Sequence, residues 1–78
     1  MNNIPDISTL DELTEYINKE TSEDQYSFPA TDVYILCMKN KWTLTYSSAT
    51  ETLKIKDNKG NILIYEEQKR TALLTKKS

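Results

Sequence analysis

The chain has 78 residues, a formal net charge of -2, a single glycine, a single cysteine and no histidine. Its length suits one small domain with a thin core, and the lack of histidine removes the commonest general base and metal ligand. One glycine leaves no phosphate-cradling loop, and one cysteine leaves no disulfide within the chain.

The charge is unevenly divided. Residues 1–35 carry eight acids against Lys19 alone, a net of -7, while residues 36–78 carry nine bases against four acids, a net of +5. Such polarity points to charged partners, or to halves that face each other. Eight Leu, seven Ile, one Val and one Phe supply the core, enough to fold but thin enough for a partner or a second copy to complete it. The N-terminal residues Met1-Asn2-Asn3-Ile4-Pro5-Asp6 have neither the basic start nor the apolar run of a secretory signal. The longest apolar stretch, Val33 to Met38, is six residues, far below the roughly 20 that span a bilayer. A soluble, reduced, cytoplasmic protein without membrane contact is the expectation.

An N-terminal arm over residues 1–8 leads into a helix predicted at 9–20. Thr9 and Glu12 have capping-box spacing, and Leu10, Leu13 and Ile17 form one apolar stripe with Tyr16 at its edge. Glu15 and Lys19 stand in the favourable i,i+4 order. Residues 21–31 read as a connector in which Pro29 keeps Phe28 out of helical geometry, with Tyr26 and Phe28 anchoring it to the domain.

Residues 32–66 read as an antiparallel sheet. Val33–Met38 is short, β-prone and apolar on both faces, so a covered strand is favoured; the alternative is a short helix capped by Thr31 or Asp32. Trp42, Leu44 and Tyr46 alternate with Thr43 and Thr45, Leu53 and Ile55 with Thr52, Lys54 and Lys56, and Ile62 and Ile64 with Asn61, Leu63 and Tyr65. Placing the apolar residues on one face pairs Leu44 with Ile55, Tyr46 with Leu53, Ile55 with Ile62 and Leu53 with Ile64. The loops are then Ser48–Glu51 and Asp57–Gly60. The basic tail over residues 67–78 reads as a short helix, with a last strand as the alternative.

The predicted fold is therefore α+β: an N-terminal helix on one face of a three- to four-stranded antiparallel meander, followed by a short C-terminal helix or strand. The helix would cover Trp42, Leu44, Tyr46, Leu53, Ile55, Ile62 and Ile64. The opposite face would show Thr43, Thr45, Thr52, Lys54, Lys56, Leu63 and Tyr65.

No catalytic constellation is visible. Cys37 lies in an apolar run with no imidazole to activate it, and the carboxylates have neither a calcium-loop pattern nor another metal-site spacing. No cofactor, metal or catalytic residue is expected. Asp11, Glu12, Glu15, Glu20, Glu23 and Asp24 form an acidic surface on the first helix and connector. An acidic face is ordinarily only solvated; the functional reading is a surface that occludes a basic site on another protein, such as one that handles nucleic acid. The expected function is thus a non-enzymatic protein-binding regulator, an inhibitor or antagonist. The alternative is direct nucleic-acid binding by Thr43, Thr45, Lys54, Lys56 and Tyr65, where lysines would neutralise phosphates and the tyrosine stack on a base. A third reading is a self-associating assembly factor, with a weak homodimer formed by charge or by a free sheet edge near Tyr65. The compact size and Lys/Asn/Ile-rich usage resemble those of accessory proteins from AT-rich bacteria and their phages.

Overall fold

The computed structural model describes residues 4–23 and 28–77. Helix α1, Leu10–Glu23, buries Leu10, Leu13, Ile17 and Thr21 along one stripe. Its cap follows the predicted chemistry: the Glu12 N–H donates to Thr9 Oγ1 at 3.2 Å, and the Glu12 carboxylate accepts from the Ser8 N–H and the Thr9 hydroxyl. The helix runs three residues past the expected end because Thr21 is buried and its hydroxyl donates back to the Ile17 carbonyl at 2.9 Å.

Helix α2, Ala30–Asn40, replaces the strand expected at Val33–Met38. Val33, Leu36 and Cys37 are buried at helical spacing, whereas Tyr34 and Met38 are 58% and 64% exposed. The run therefore buries one face, not two. Neither Thr31 nor Asp32 caps it; the Pro29 carbonyl accepts from the Val33 N–H at 2.9 Å instead. The helix ends at Lys41, left-handed at φ 61°, with the Lys41 N–H on the Met38 carbonyl and the Trp42 N–H on the Cys37 carbonyl. That bond pair is a Schellman stop. Tyr26 lies outside the described residues, while Phe28 packs on the core with its ring 4.6 Å from that of Tyr65.

Four strands follow: β1 (Thr43–Ser47), β2 (Thr52–Lys56), β3 (Ile62–Glu66) and β4 (Thr71–Thr75), ordered β1-β2-β3-β4. The α+β fold with an antiparallel meander is as predicted, with a second helix added and the sheet starting at Thr43. The β1–β2 register also agrees, Leu44 opposite Ile55 and Tyr46 opposite Leu53. The β2–β3 register does not: Ile55 faces Leu63 and Leu53 faces Tyr65.

The cause is the Asp57 loop. Its carboxylate accepts from the Lys59 N–H at 2.8 Å, the Asn61 N–H at 2.9 Å and the Asn61 side-chain amide at 2.8 Å. This draws Asn61 into the loop, which becomes odd in length and moves the pairing by one residue. A one-residue shift exchanges faces, so Leu63 and Tyr65 are buried while Ile62 and Ile64 move to the open side. The tail is a strand rather than a helix, because Ala72 is buried and Leu74 partly buried on one face while Leu73, between them, is 63% exposed.

Both helices lie on the same side of the sheet. Leu10, Leu13 and Ile17 of α1 and Val33, Leu36 and Cys37 of α2 meet Leu53, Ile55, Leu63, Tyr65 and Ala72. Each fully buried Leu or Ile contributes roughly 1.5–3 kcal/mol. The other face of the sheet is open.

The backbone direction in each strand follows from two bonds at the ends of the β2–β3 ladder. The Asp57 N–H donates to the Asn61 carbonyl and the Glu67 N–H to the Glu51 carbonyl. In an antiparallel ladder, pairs that exchange both bonds alternate with pairs whose groups point away. Leu53 and Ile55 thus bond to β3, and Lys54 and Lys56 to β1. By the same alternation, Leu44 and Tyr46 on β1, and Ala72 and Leu74 on β4, aim their N–H and C=O groups out of the sheet.

Candidate functional site

The acidic set of α1 divides into two groups. Asp11 forms an ion pair with Lys76 at 3.1 Å, and Glu12 is held in the helix cap. Hydrogen bonds from the Ser8 backbone and the Thr9 hydroxyl keep its carboxyl below the ordinary range. Glu15 and Glu23 are exposed and Glu20 partly exposed, and among the described residues none of the three has an ion-pair partner. Asp24 lies outside the described residues.

The open sheet face brings together four of the five residues expected there. Thr43, Thr45, Lys54 and Lys56 are exposed, with Thr45 beside Lys54 and Thr43 beside Lys56. Tyr65 is not among them: it is 5% exposed on the opposite face, against Phe28. Ile62, Ile64 and Leu73 continue the face in its place, Lys54 pairing with Ile64 and Ile64 with Leu73. The face is mixed apolar and basic, without an aromatic platform.

Cys37 and the two carboxylates of a surface cleft are held by the fold. Cys37 is 2% exposed, and burial pushes its thiol up to about 11, so it stays protonated. A cleft of about 280 Å³ opens between the start of α1 and the Asp57 loop, with Asn40 and Trp42 in its wall. Its carboxylates, Asp11 and Asp57, are held by Lys76 and by the loop amides. Among the described residues, no group of three or more His, Cys, Asp or Glu could hold a metal ion, and no helix is long and apolar enough to cross a membrane.

A further surface lies at the β1 edge. An open apolar groove of about 400 Å³ runs between the first turns of α2 and the sheet, lined by Phe28, Val33, Tyr34, Leu44 and Leu53. Tyr46, on the same side of the sheet, is 48% exposed. A hydrogen bond to the Glu67 carboxylate raises its hydroxyl above the ordinary range. The groove is invisible while Val33–Met38 is read as a strand. The signal that finds it is the helical spacing of Val33, Leu36 and Cys37. Comparison with protein-family models, curated proteins and solved structures finds no match, so the functional reading rests on these residues themselves.

Proposed function

We propose that this protein is a non-enzymatic binding regulator, an inhibitor or antagonist that sets the acidic flank of α1 against a basic site on another protein. The supporting observation is the C-terminal half of that helix. Glu20 and Glu23 stand in or near a last turn that contains no basic residue, where the helix dipole disfavours carboxylates by about 0.3–1 kcal/mol each. No ion pair among the described residues reaches either carboxylate; the cation at this helix end, the Arg70 guanidinium, donates to the Thr21 carbonyl instead. Such a placement suits a contact made outside the chain.

A protein that handles nucleic acid is a natural target, since its binding site is basic and these carboxylates would occupy phosphate positions. Occlusion is then steric and electrostatic, and association weakens as salt screens the charges. A cytoplasmic setting belongs to the same proposal, supported by the single buried thiol. A weak homodimer is compatible with it, because α1 lies along the β4 flank and leaves the β1 flank open. The test is capture of partners from the native host with wild type and with Glu15, Glu20 and Glu23 changed to Lys. Loss of the partner on charge reversal is expected; the same partner at the same salt dependence would remove the acidic flank from consideration.

The second reading, nucleic-acid binding by the open sheet face, is supported by the shared exposure of Thr43, Thr45, Lys54 and Lys56. It is weakened by the burial of Tyr65. It requires a low-salt mobility shift of DNA or RNA that disappears when Lys54 and Lys56 become Glu.

A further inference from the structure

The two edges of the sheet are treated differently. On β4, the outward N–H and C=O of Ala72 are both taken by the side-chain amide of Asn18, and the Arg70 carbonyl accepts from the Thr21 hydroxyl. Helix α1 thus covers that edge. On β1, no side chain among the described residues hydrogen-bonds the backbone of Thr43–Ser47. The strand Thr43-Leu44-Thr45-Tyr46-Ser47 also has no charge, proline or bulge, the devices by which sheet edges ordinarily avoid pairing. Four of its five residues are exposed.

We propose that β1 is a self-association edge. Two copies pair their β1 strands antiparallel about a two-fold axis at Thr45, joining two four-stranded sheets into one continuous sheet. The register follows from the backbone directions. Leu44 and Tyr46 point their peptide groups outward, so an axis at Thr45 sets Leu44 of each copy opposite the partner's Tyr46. Each such pair exchanges both of its bonds, giving two doubly bonded pairs. Moving the axis to Leu44 or to Tyr46 leaves a single doubly bonded pair, of a residue with its own copy. The Thr45 register is therefore the most fully bonded.

Side chains agree with this register. Leu44 and Tyr46 stand on the helix side of the sheet, where the groove between α2 and β1 leaves Leu44 accessible. The partner's Tyr46, opposite Leu44, gives up its contact with Glu67 of its own chain, enters that groove beside Phe28 and Tyr34 and fills it with an aromatic ring. The same step covers the exposed ring of Tyr46 in the first copy. On the open face, Thr45 meets its own copy and Thr43 meets the partner's Ser47, all small hydroxyl residues with no like charges opposed. The contact is isologous and closes at two copies, so it forms a dimer and not a fibre.

The proposal is independent of the acidic-flank reading, and its test uses purified protein alone. Light scattering over a dilution series should show the mass rise from 9.1 kDa to twice that value at high concentration, unchanged by salt. Thr45→Cys should then form an intermolecular disulfide under mild oxidation, because residues facing each other in a pair without direct hydrogen bonds have Cα atoms about 4.5 Å apart. Thr43→Cys should not, since its two copies lie roughly 13 Å apart along the strands. Wild type is the blank, its one thiol being buried and protonated.

Tyr46→Pro removes an outward N–H without touching the bonds to β2 and should hold the protein at monomer mass. Thr45→Lys, which sets lysines against each other at the axis beside Lys54, should do the same and decides the matter if the proline variant fails to fold. A monomer at every wild-type concentration would overturn the proposal. So would a dimer that survives Thr45→Lys, or one in which Thr45→Cys does not crosslink.

Discussion

The side-chain amide of Asn18 grips the backbone of Ala72 at both ends: Nδ2 donates to the carbonyl at 3.0 Å and Oδ1 accepts from the N–H at 2.8 Å. One residue of α1 thereby acts as the missing neighbour strand of β4, satisfying an edge that would otherwise offer a donor and an acceptor to any extended chain. It also fixes the helix along the strand, since the apolar stripe alone would allow α1 to slide.

Asn18→Ala should therefore lower stability by about 1–3 kcal/mol, the cost of two lost bonds and exposed backbone groups. Asn18→Asp keeps the acceptor but aims a second carboxylate oxygen at the Ala72 carbonyl. Its deficit relative to wild type should be larger at pH 7 and should shrink below the carboxyl pKa, where a proton restores a donor. Urea midpoints at the two pH values check both outcomes.

Lys41 should yield to glycine with a gain. At φ 61° a side chain costs about 1–2 kcal/mol, and the freedom glycine adds to the unfolded chain returns about 0.4–1 of it. The net gain is on the order of 0.5 kcal/mol, a rise of a few degrees in thermal midpoint. A fall in midpoint for Lys41→Gly would contradict the Schellman stop.

The same position explains much of what the sequence conceals. Helix ends are read from glycine, and here lysine occupies the left-handed residue, so α2 carries no visible stop. Its start has Pro29 without a capping side chain, and a six-residue apolar run with β-branched members then reads as strand. The α1 helix is legible because its cap is local and its stripe of Leu10, Leu13 and Ile17 keeps helical spacing. The β1–β2 hairpin is legible because strict alternation and an even loop agree. Beyond Lys56 the pattern is ambiguous, since Ile62, Leu63, Ile64 and Tyr65 are apolar at every position, and only the loop decides which pair faces inward. That decision rests on Asp57 bonding to Asn61, a contact without an apolar signature. The misplacement of Tyr65 in the basic site is the direct consequence. The lysines and threonines of that site survive because β2 and its register with β1 are unaffected.

Asp57 should accordingly matter more than an exposed loop acid usually does. Burial would raise its carboxyl, but hydrogen bonds from Asn61 and from the Lys59 and Gly60 backbone outweigh this and hold it below the ordinary range. A lowered pKa means the folded state prefers the charged form, so this stability is present above the unfolded pKa and lost on acidification through the folded one. Asp57→Ala should cost about 1–3 kcal/mol at neutral pH and flatten the acid limb of the stability curve. Equal acid sensitivity in both proteins would show that the loop bonds contribute nothing.

The alkaline limb should be led by the two groups whose protons the fold holds most strongly, with Tyr46 and Tyr65 raised in the same direction. Burial pushes the Cys37 thiol up to about 11, and burial with the nearby Asp32 carboxylate, which accepts from the Tyr16 hydroxyl at 2.8 Å, pushes that phenol up to about 12. Their ordinary values are 9.0 and 10.0. Between ordinary and raised values the unfolded chain has released protons that the native protein still holds, so stability falls as pH rises. The decline should begin near pH 9 and continue through pH 11. Cys37→Ser should remove the earlier part of the slope at some expense in packing, and Tyr16→Phe should reduce the later part, to which Tyr46 and Tyr65 also contribute. Guanidinium midpoints from pH 8 to pH 11 give the slopes directly. A wild-type curve flat to pH 11 would mean that neither group is more protonated in the native protein than in the unfolded chain.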